Sequence, residues 1–268
     1  MVGIGDAYAS IFFSYDADIP AELAAKNFST THLAWLAATS ALMILAVLFY
    51  RRQSAPIRKK LLRGAALAII ALELLRTAWL LAVGHYELSR HLPLHLCGVM
   101  ILVEFLAVYT DKRFFKEFAY AAGLPGAFMA LVTPEPSGYP LWNIQYLQSI
   151  VIHALLALVP LCMVAGDSFR PSLKMLPWNL VALIGLTAVC FGMNSLIGSN
   201  YMFVGFAPAD TPIALFDAWV GWPGYIGLLL GTVFVFWMLM YLPWAVLARR
   251  KGKIVQEGDT PIGISCEK

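Results

Sequence analysis

The sequence is poor in charged residues and in cysteine, and its net charge is small. Asp, Glu, Lys and Arg make up 13% of the 268 residues, whereas about 25% is usual in soluble domains. A net charge of +3 is too small for a DNA- or RNA-binding surface. Four scattered cysteines without a CxxC pair provide neither a disulfide scaffold nor a cysteine metal site. A soluble globule, a disordered chain and a nucleic-acid-binding protein are therefore poor fits.

Apolar residues are abundant instead. They make up 60% of the chain, and the mean hydropathy is +0.73. A helix needs about 20 mainly apolar residues to cross a bilayer, and the runs that approach this length are 31–50, 62–84, 92–109, 117–132, 146–166, 178–197 and 222–248. The sequence predicts an all-α fold, a polytopic membrane helix bundle of about seven transmembrane helices in one domain at 31–248. We expect the lipid bilayer as its surroundings, with no cofactor, no metal and no nucleic-acid partner.

Lys and Arg are distributed unevenly among the connectors between these runs. Sixteen of the nineteen lie in the first, third and fifth connectors and in the C-terminal tail. The other side has only Lys26 and Arg90, and Arg76 lies within a predicted span. Because connectors rich in Lys and Arg stay in the cytoplasm, we predict an N-terminus outside the membrane and a C-terminus in the cytoplasm.

The two ends of the chain are more polar than the predicted spans. Residues 1–30 contain four acidic residues but one Lys, so they are predicted to be an extracytoplasmic segment and not a cleavable signal peptide. Residues 249–268 are predicted to form a basic, disordered cytoplasmic tail. The interpretation is a multi-pass integral protein of a bacterial cytoplasmic membrane.

Several predicted spans contain polar side chains that are costly in lipid. An ionisable group at mid-helix costs at least about 2.5–3.5 kcal/mol, so each one needs an explanation. At a rise of 1.5 Å per residue, Cys97, His153 and Arg76 lie roughly 8, 10 and 12 Å below the outer ends of their spans. Asn194 lies about 5 Å below the same surface. Four predicted helices thus place polar groups in one layer of the outer leaflet.

Helical spacing indicates which of these side chains share a face. Gln145, Ser149 and His153 are spaced i, i+4, i+8, and Glu73 can pair with Arg76 three residues later. We interpret the layer as a polar cavity walled by the second, third, fifth and sixth predicted spans. The candidate substrate-binding residues are Arg76, Glu73, Gln148, Asn194, Asn200 and Tyr201.

The candidate catalytic residues are Cys97, His153 and His95. Cys97 begins its helix close behind Pro93, and a helix N-terminus favours the reactive thiolate. His153 is the candidate general base, because cysteine and histidine form the nucleophile–base pair of many acyl-transfer enzymes. His95 points to a different side of a regular helix and is a candidate second acid or oxyanion donor. Glu104 shares a face with Cys97, lies deeper and is expected to be protonated or paired.

The order and spacing of several motifs resemble the YwaF/TMEM164 family of integral membrane proteins. These motifs are LPLHLCG at 92–98, ALVTP at 130–134, WNIQYLQSIVIHALLALVPL at 142–161, NYMF at 200–203 and YLPW at 241–244. The resemblance implies a cysteine-dependent acyltransferase that moves a fatty acyl chain between phospholipids, with Cys97 as nucleophile and His153 as its histidine partner. It also implies phospholipid and lysophospholipid substrates and a ping-pong reaction through a Cys97 thioester.

The same residues are compatible with other functions. The Glu73 and Arg76 pair can be purely structural. A zinc-dependent membrane lipid hydrolase would take its ligands from His91, His95 and His153. A transporter or receptor for a small ligand or lipid would use the same cavity, although transporters usually contain broken helices in matching pairs. Only AAGLPGAF in the fourth predicted span indicates such a break.

Overall fold

The computed structural model describes residues 11–134, 138–208 and 211–258, and no strand occurs in these ranges. The prediction of an all-α fold is confirmed. We label the main helices α1 Thr30–Arg51, α2 Ala55–Ala82, α3 Leu96–Thr110, α4 in three joined pieces (Arg113–Phe118, Ala119–Gly123 and Leu124–Val132), α5 Ile144–Gly166, α6 Leu176–Ile197 and α7 Gly224–Gly258. Shorter helices at Leu88–His91 and Pro212–Val220 lie between them.

Five of the described helices are long and apolar enough to cross a membrane: α1, α2, α5, α6 with its preceding turn, and Gly224–Ala248 of α7. Helix α3 is apolar but has 15 residues, about 22 Å of helix against a bilayer core of roughly 30 Å. Helix α4 contains a π-helical turn at Ala119–Gly123, which overlaps the first three residues of the AAGLPGAF segment. The third and fourth predicted spans are therefore present as a short helix and an interrupted helix.

Two helix boundaries differ from those predicted by seven residues or more. Helix α2 begins at Ala55, with Pro56 in its first turn, although its apolar run begins at 62. Lys and Arg are good helix formers, so the basic connector is helical although it is not apolar. Helix α7 continues to Gly258, beyond the predicted boundary at 248, and residues 259–268 lie outside the described residues.

Helix α5 lies at the centre of the bundle. In its most apolar stretch of 18 residues, 44% of the residues are buried, against 17% in the corresponding stretch of each of the other four long helices. It packs against α1, α2, α3 and α4. The outer helices present apolar side chains at the surface, among them Leu42, Leu45 and Phe49 of α1. Such a surface matches hydrocarbon and not water.

One end of the bundle, here called the Cys97 end, is where α3 and α5 begin and where α2 and α6 end. The described part of the N-terminal segment covers this end. Asn143 donates hydrogen bonds of 2.9 Å to the carbonyl oxygens of Ile11 and Ser14. The Tyr15 ring stacks on the His85 ring with centroids 4.0 Å apart. The segment thus packs onto the helix ends.

The opposite end is held by a buried group of polar side chains, here called the Glu117 network. Glu117 is fully buried and accepts hydrogen bonds from Arg113, from the Ser172 N–H and from the Tyr241 hydroxyl. Tyr241 in turn accepts a hydrogen bond of 3.1 Å from Asn179. The network ties α4 to α6 and α7 at the end of the bundle remote from Cys97.

Candidate functional site

Cys97 lies in the first turn of α3, two residues after His95, which precedes the helix. No side chain caps this helix start, and the N–H groups of a first turn have no partner within their own helix. Those donors and the helix dipole favour negative charge at this point. The Cys97 side chain is half-buried against the main core. The free N–H groups at this helix start suit the oxyanion of an acyl intermediate.

The glycine after Cys97 permits a close backbone contact. A Cβ at Gly98 would lie 2.7 Å from the Cα and carbonyl carbon of Pro93 and 2.8 Å from its oxygen. Contacts this short do not occur in folded proteins, so only glycine fits there. The loop at 92–95 therefore folds back onto the first turn of α3 and positions Cys97.

The His95 side chain faces the loop after α6. Its ring centroid lies 5.1 Å from that of Tyr201 and 5.2 Å from that of Phe203. The Met202 N–H donates a hydrogen bond of 3.4 Å to His95 Nδ1. His95 thus packs between the start of α3 and this loop, and it precedes the helix with an extended backbone instead of lying on a regular helix as the spacing argument assumed.

His153 is half-buried on α5, and its hydrogen bond identifies which of the two ring nitrogens carries the proton. Nδ1 lies 2.7 Å from the Ser149 carbonyl oxygen, which can only accept, so Nδ1 carries the proton and donates. Ser149 Oγ lies 3.3 Å from the same nitrogen. The predicted proximity of Ser149 and His153 is confirmed. Nε2 of a neutral ring is then left with its lone pair, as a general base requires.

The predicted pair of Glu73 and Arg76 on α2 is confirmed. Arg76 Nη2 donates to Glu73 Oε1 at 2.6 Å and Nε donates to Oε2 at 3.1 Å. Nη2 also lies 3.4 Å from the His91 carbonyl oxygen. Gln148 of α5 donates a hydrogen bond of 3.4 Å to the Leu72 carbonyl, and Glu73 is close enough for its charge to act on the His153 ring. Four of the predicted site residues thus meet between α2 and α5.

Asn194, Asn200 and Tyr201 brace the loop that follows α6. Asn194 Oδ1 accepts hydrogen bonds from Ser199 Oγ and from the Tyr201 N–H at 2.8 and 2.7 Å. Asn200 Oδ1 accepts from the Gly205 N–H at 2.9 Å. The Tyr201 hydroxyl accepts from the Leu92 N–H at 3.0 Å. These side chains fasten the loop to itself and to the segment that leads into α3.

The predicted site residues form two groups at the Cys97 end. One group, Glu73, Arg76, Gln148 and His153, lies between α2 and α5, and the other, His95, Asn194, Asn200 and Tyr201, lies between the start of α3 and the loop after α6. Helix α3 packs against both α2 and α5. Among the described residues, no hydrogen bond joins Cys97 Sγ to the His153 ring. The approach of these two groups is therefore a step of any reaction that uses both.

A small cavity that was not predicted also lies at this end of the bundle. It lies between α1, α5 and the end of α4, and its volume of about 10 Å³ is room for about one water molecule. Its lining includes His32, Thr39 and Tyr146. The Tyr146 hydroxyl is buried without a hydrogen-bond partner, which the sequence pattern did not reveal.

The three histidines of the zinc alternative do not come together. Among the described residues, no group of three or more His, Cys, Asp or Glu side chains could hold a metal ion. His91 Nδ1 accepts a hydrogen bond of 2.9 Å from the Glu87 N–H. Burial of the ring and the nearby charge of Arg76 lower the pKa of His91. The role of His91 in the described structure is to fold the loop before α3.

Comparison with known proteins supports the resemblance seen in the motifs. The profile of the TMEM164 family matches residues 27–241, which is most of the chain. The lysophospholipid transporter LplT of Shigella flexneri serotype 5b (strain 8401) is 30% identical over 108 residues, 40% of this chain and 24% of the transporter. LplT of Enterobacter sp. (strain 638) is 31% identical over 98 residues, 37% of this chain and 24% of that protein. The matches thus span about a quarter of the length of these transporters, and no solved structure matches the chain.

Proposed function

Because this chain belongs to the TMEM164 family, we propose that it is a membrane-embedded acyltransferase that moves a fatty acyl chain between phospholipids through a Cys97 thioester. His153 is the general base of the proposed reaction. The observation that carries the proposal is that a cysteine at an uncapped helix start lies on a helix packed against α5, which carries a histidine whose proton is on Nδ1 and whose Nε2 can therefore accept one.

The first half-reaction forms the thioester. His153 Nε2 takes the proton of the Cys97 thiol, and the sulfur attacks the carbonyl carbon of a phospholipid ester. The N–H groups of the first turn of α3 stabilise the oxyanion. The ester C–O bond then breaks, and His153 returns the proton to the departing oxygen, which leaves as the hydroxyl of a lysophospholipid.

The second half-reaction reverses these steps with another acceptor. A lysophospholipid hydroxyl gives its proton to His153 and attacks the thioester carbonyl, and the sulfur leaves as a thiolate that recovers the proton. Water in place of the lipid hydroxyl would make the protein a hydrolase. Exclusion of water by the lipid-covered surface of the bundle favours transfer.

The remaining predicted residues hold and orient the substrate in this proposal. Arg76 and Glu73 lie about two turns from the end of α2, where the guanidinium can bind a lipid phosphate. Gln148 lies on the facing helix. His95, Asn194, Asn200 and Tyr201 shape the wall beside Cys97, and His95 can donate to the oxyanion.

We also propose the topology predicted from the charges. Helices α3 and α4 pack with α2 and α5, so they complete a seven-helix membrane domain despite their short lengths. The distribution of Lys and Arg supports an N-terminus outside and a C-terminus in the cytoplasm. Bacterial relatives suggest a bacterial cytoplasmic membrane. The Cys97 end then faces outward, at the depth of glycerol ester groups.

The test of the proposed enzyme is direct detection of the acyl intermediate. Purified protein is incubated with phospholipid, and the Cys97 peptide is examined by mass spectrometry before and after hydroxylamine. We expect a hydroxylamine-labile acyl mass on Cys97 that is absent in C97A. The mass should be unchanged in C162A, which replaces a buried cysteine on a different helix, α5. Lipid turnover without this mass would contradict the thioester mechanism.

The similarity to LplT favours one second candidate, movement of lysophospholipid across or within the membrane. Transport requires binding and release but no covalent bond to Cys97. Proteoliposomes with labelled lysophospholipid on one side would distinguish the two functions. Movement that persists in C97A, with no acyl transfer in the unmodified protein, would favour the transporter.

A further inference from the structure

Glu104 is a buried carboxyl group without a partner. It lies on α3 two turns beyond Cys97, its exposed fraction is 0%, and neither carboxyl oxygen has a hydrogen-bond partner. Glu117 is also 0% exposed, but Arg113, Ser172 and Tyr241 hydrogen-bond to its carboxyl group. The two residues have the same side chain and the same burial and differ in their surroundings, so one is a natural control for the other.

The space around Glu104 is built by a break in the facing helix. Glu104 Oε1 lies 3.3 Å from the position of a Cβ on Gly123, the last residue of the π-helical turn in α4. All five residues of that turn are buried. A side chain at Gly123 would press on the carboxyl group and on Met100. The carboxyl group therefore occupies a fitted apolar niche.

No charged group compensates Glu104. The elements packed against α3 are α2, α4 and α5. The ionisable groups on them near this layer make their contacts elsewhere, although Arg63 Nε is buried without a hydrogen-bond partner. Glu73 pairs with Arg76, Tyr120 donates to the Met240 carbonyl, His153 donates to Ser149, and Arg63 lies over the Tyr109 ring. Among the described residues, none of these groups hydrogen-bonds to Glu104.

If Glu104 were ionised, its negative charge would act on Cys97. The two residues lie seven positions apart on α3, so they share a face of the helix and are separated by roughly 10 Å along its axis. A carboxylate at Glu104 and a thiolate at Cys97 would repel each other inside an apolar interior. An isolated buried carboxylate is also far less favourable than the neutral acid.

We propose that Glu104 is a proton-binding site that keeps its proton at neutral pH and whose ionisation suppresses the thiolate of Cys97. The ligand is a proton, and the apolar reagent that recognises the protonated state is a hydrophobic carbodiimide. The site depends on the position of Cys97 in the fold but not on acyl transfer.

The first experiment measures protonation in the full-length protein in membranes. Dicyclohexylcarbodiimide takes the acid proton on one nitrogen while the carboxyl oxygen bonds to its central carbon, so the whole reagent is added to the peptide. We expect labelling at pH 7 on Glu104 and not on Glu117, with the label lost in E104Q.

A second measurement does not require access of a reagent. The infrared carbonyl band of a protonated carboxyl group should be present in the unmodified protein and lost in E104Q. An absent label together with an absent band would overturn the proposal.

The second experiment measures the coupling to Cys97. Alkylation of Cys97 by a maleimide is followed against pH with glutamate or glutamine at position 104, in a background that carries C162A, C190A and C266A, so that Cys97 is the one cysteine left. We expect equal rates at pH 7, because glutamine and the protonated acid are both neutral. Above the pH at which the infrared band disappears, the unmodified protein should react about tenfold more slowly than E104Q.

Superimposable alkylation profiles across that pH range would overturn the coupling. If E104Q does not fold, the unmodified protein suffices, because its alkylation rate should level off where the infrared band is lost. A rate that rises smoothly through that pH would contradict the proposal. Failure of acyl transfer alone would change none of these measurements, so the two proposals are tested separately.

Discussion

His153 Nδ1 lies 2.7 Å from the carbonyl oxygen of Ser149, one turn earlier on α5. This bond assigns the proton of the neutral ring to Nδ1 and leaves Nε2 as an acceptor. The backbone of α5 thus fixes the orientation of the ring and the nitrogen that is available for proton transfer.

Replacing His153 by glutamine is expected to remove the base while keeping a polar side chain of similar reach. We expect acyl transfer to fall by about 10²–10⁴-fold, the usual contribution of a general base, with little change in thermal stability. H85Q, at the same end of the bundle, serves as the control in lipid turnover assays. More than about a tenth of the original rate in H153Q would contradict the assignment.

Replacing Gly98 by alanine is expected to distort the start of α3. The new Cβ would meet the Pro93 backbone at 2.7 Å, and such overpacking costs about 1–3 kcal/mol. The matched control is G185A on α6, where a Cβ meets nothing within 4 Å and alanine should stabilise by about 0.5–1 kcal/mol. Thermal unfolding in detergent compares the two, and equal melting temperatures would count against the close loop contact.

The two interpretations of Glu73 and Arg76 predict different kinetics. Either R76Q or E73Q should lower the free energy of unfolding by about 1–3 kcal/mol, because a charged hydrogen bond is lost. The double variant should lose less than the sum, since the two residues are directly coupled. If Arg76 also binds the lipid phosphate, R76Q alone should raise the KM for phospholipid several-fold. An unchanged KM in both single variants would make the pair purely structural.

Asn194 is expected to matter for stability more than Asn200. Its buried amide makes three hydrogen bonds to Ser199 and Tyr201, so N194A should cost about 1–3 kcal/mol through unpaired buried groups. The bonds of Asn200 lie near the surface, and N200A should cost less. Melting temperatures of the two variants test this order, and the reverse order would contradict the loop-bracing role.

The Glu117 network offers a control for the site. Y241F removes the hydroxyl that donates to Glu117 at 2.9 Å and accepts from Asn179 at 3.1 Å. We expect a loss of about 1–3 kcal/mol in the free energy of unfolding and an unchanged rate of acyl transfer by the folded protein. A specific loss of transfer at full folding would show that the two ends of the bundle are coupled.

Much of the helix inventory was predictable, because hydropathy is a local property of the chain. The predicted boundaries of α1, α5 and α6 lie within about two residues of those observed. The start of α2 was not predictable from hydropathy, because Arg58, Lys59 and Lys60 are helical but polar. The break in α4 was visible as Gly and Pro, but its π-helical form depends on packing against α3.

The candidate site was only partly predictable. Spacing along one helix correctly paired Glu73 with Arg76 and Ser149 with His153, since residues three and four apart are neighbours on any helix. The bracing of the loop by Asn194 and Tyr201 depends on how the chain returns after α6, which no periodicity encodes. The small cavity lined by His32 and Tyr146 was not predictable for the same reason.

Apolar length, basic connectors and motif order are properties read along the chain, so they were enough to identify an α-helical membrane protein of the TMEM164 family. Which buried carboxyl group has partners and which has none followed from the packing of the helices. Glu104 and Glu117 look alike in the sequence, yet one faces a glycine of an apolar turn and the other faces Arg113 and Tyr241. That difference arises from which helix faces meet, and side-chain contacts between distant segments set those faces.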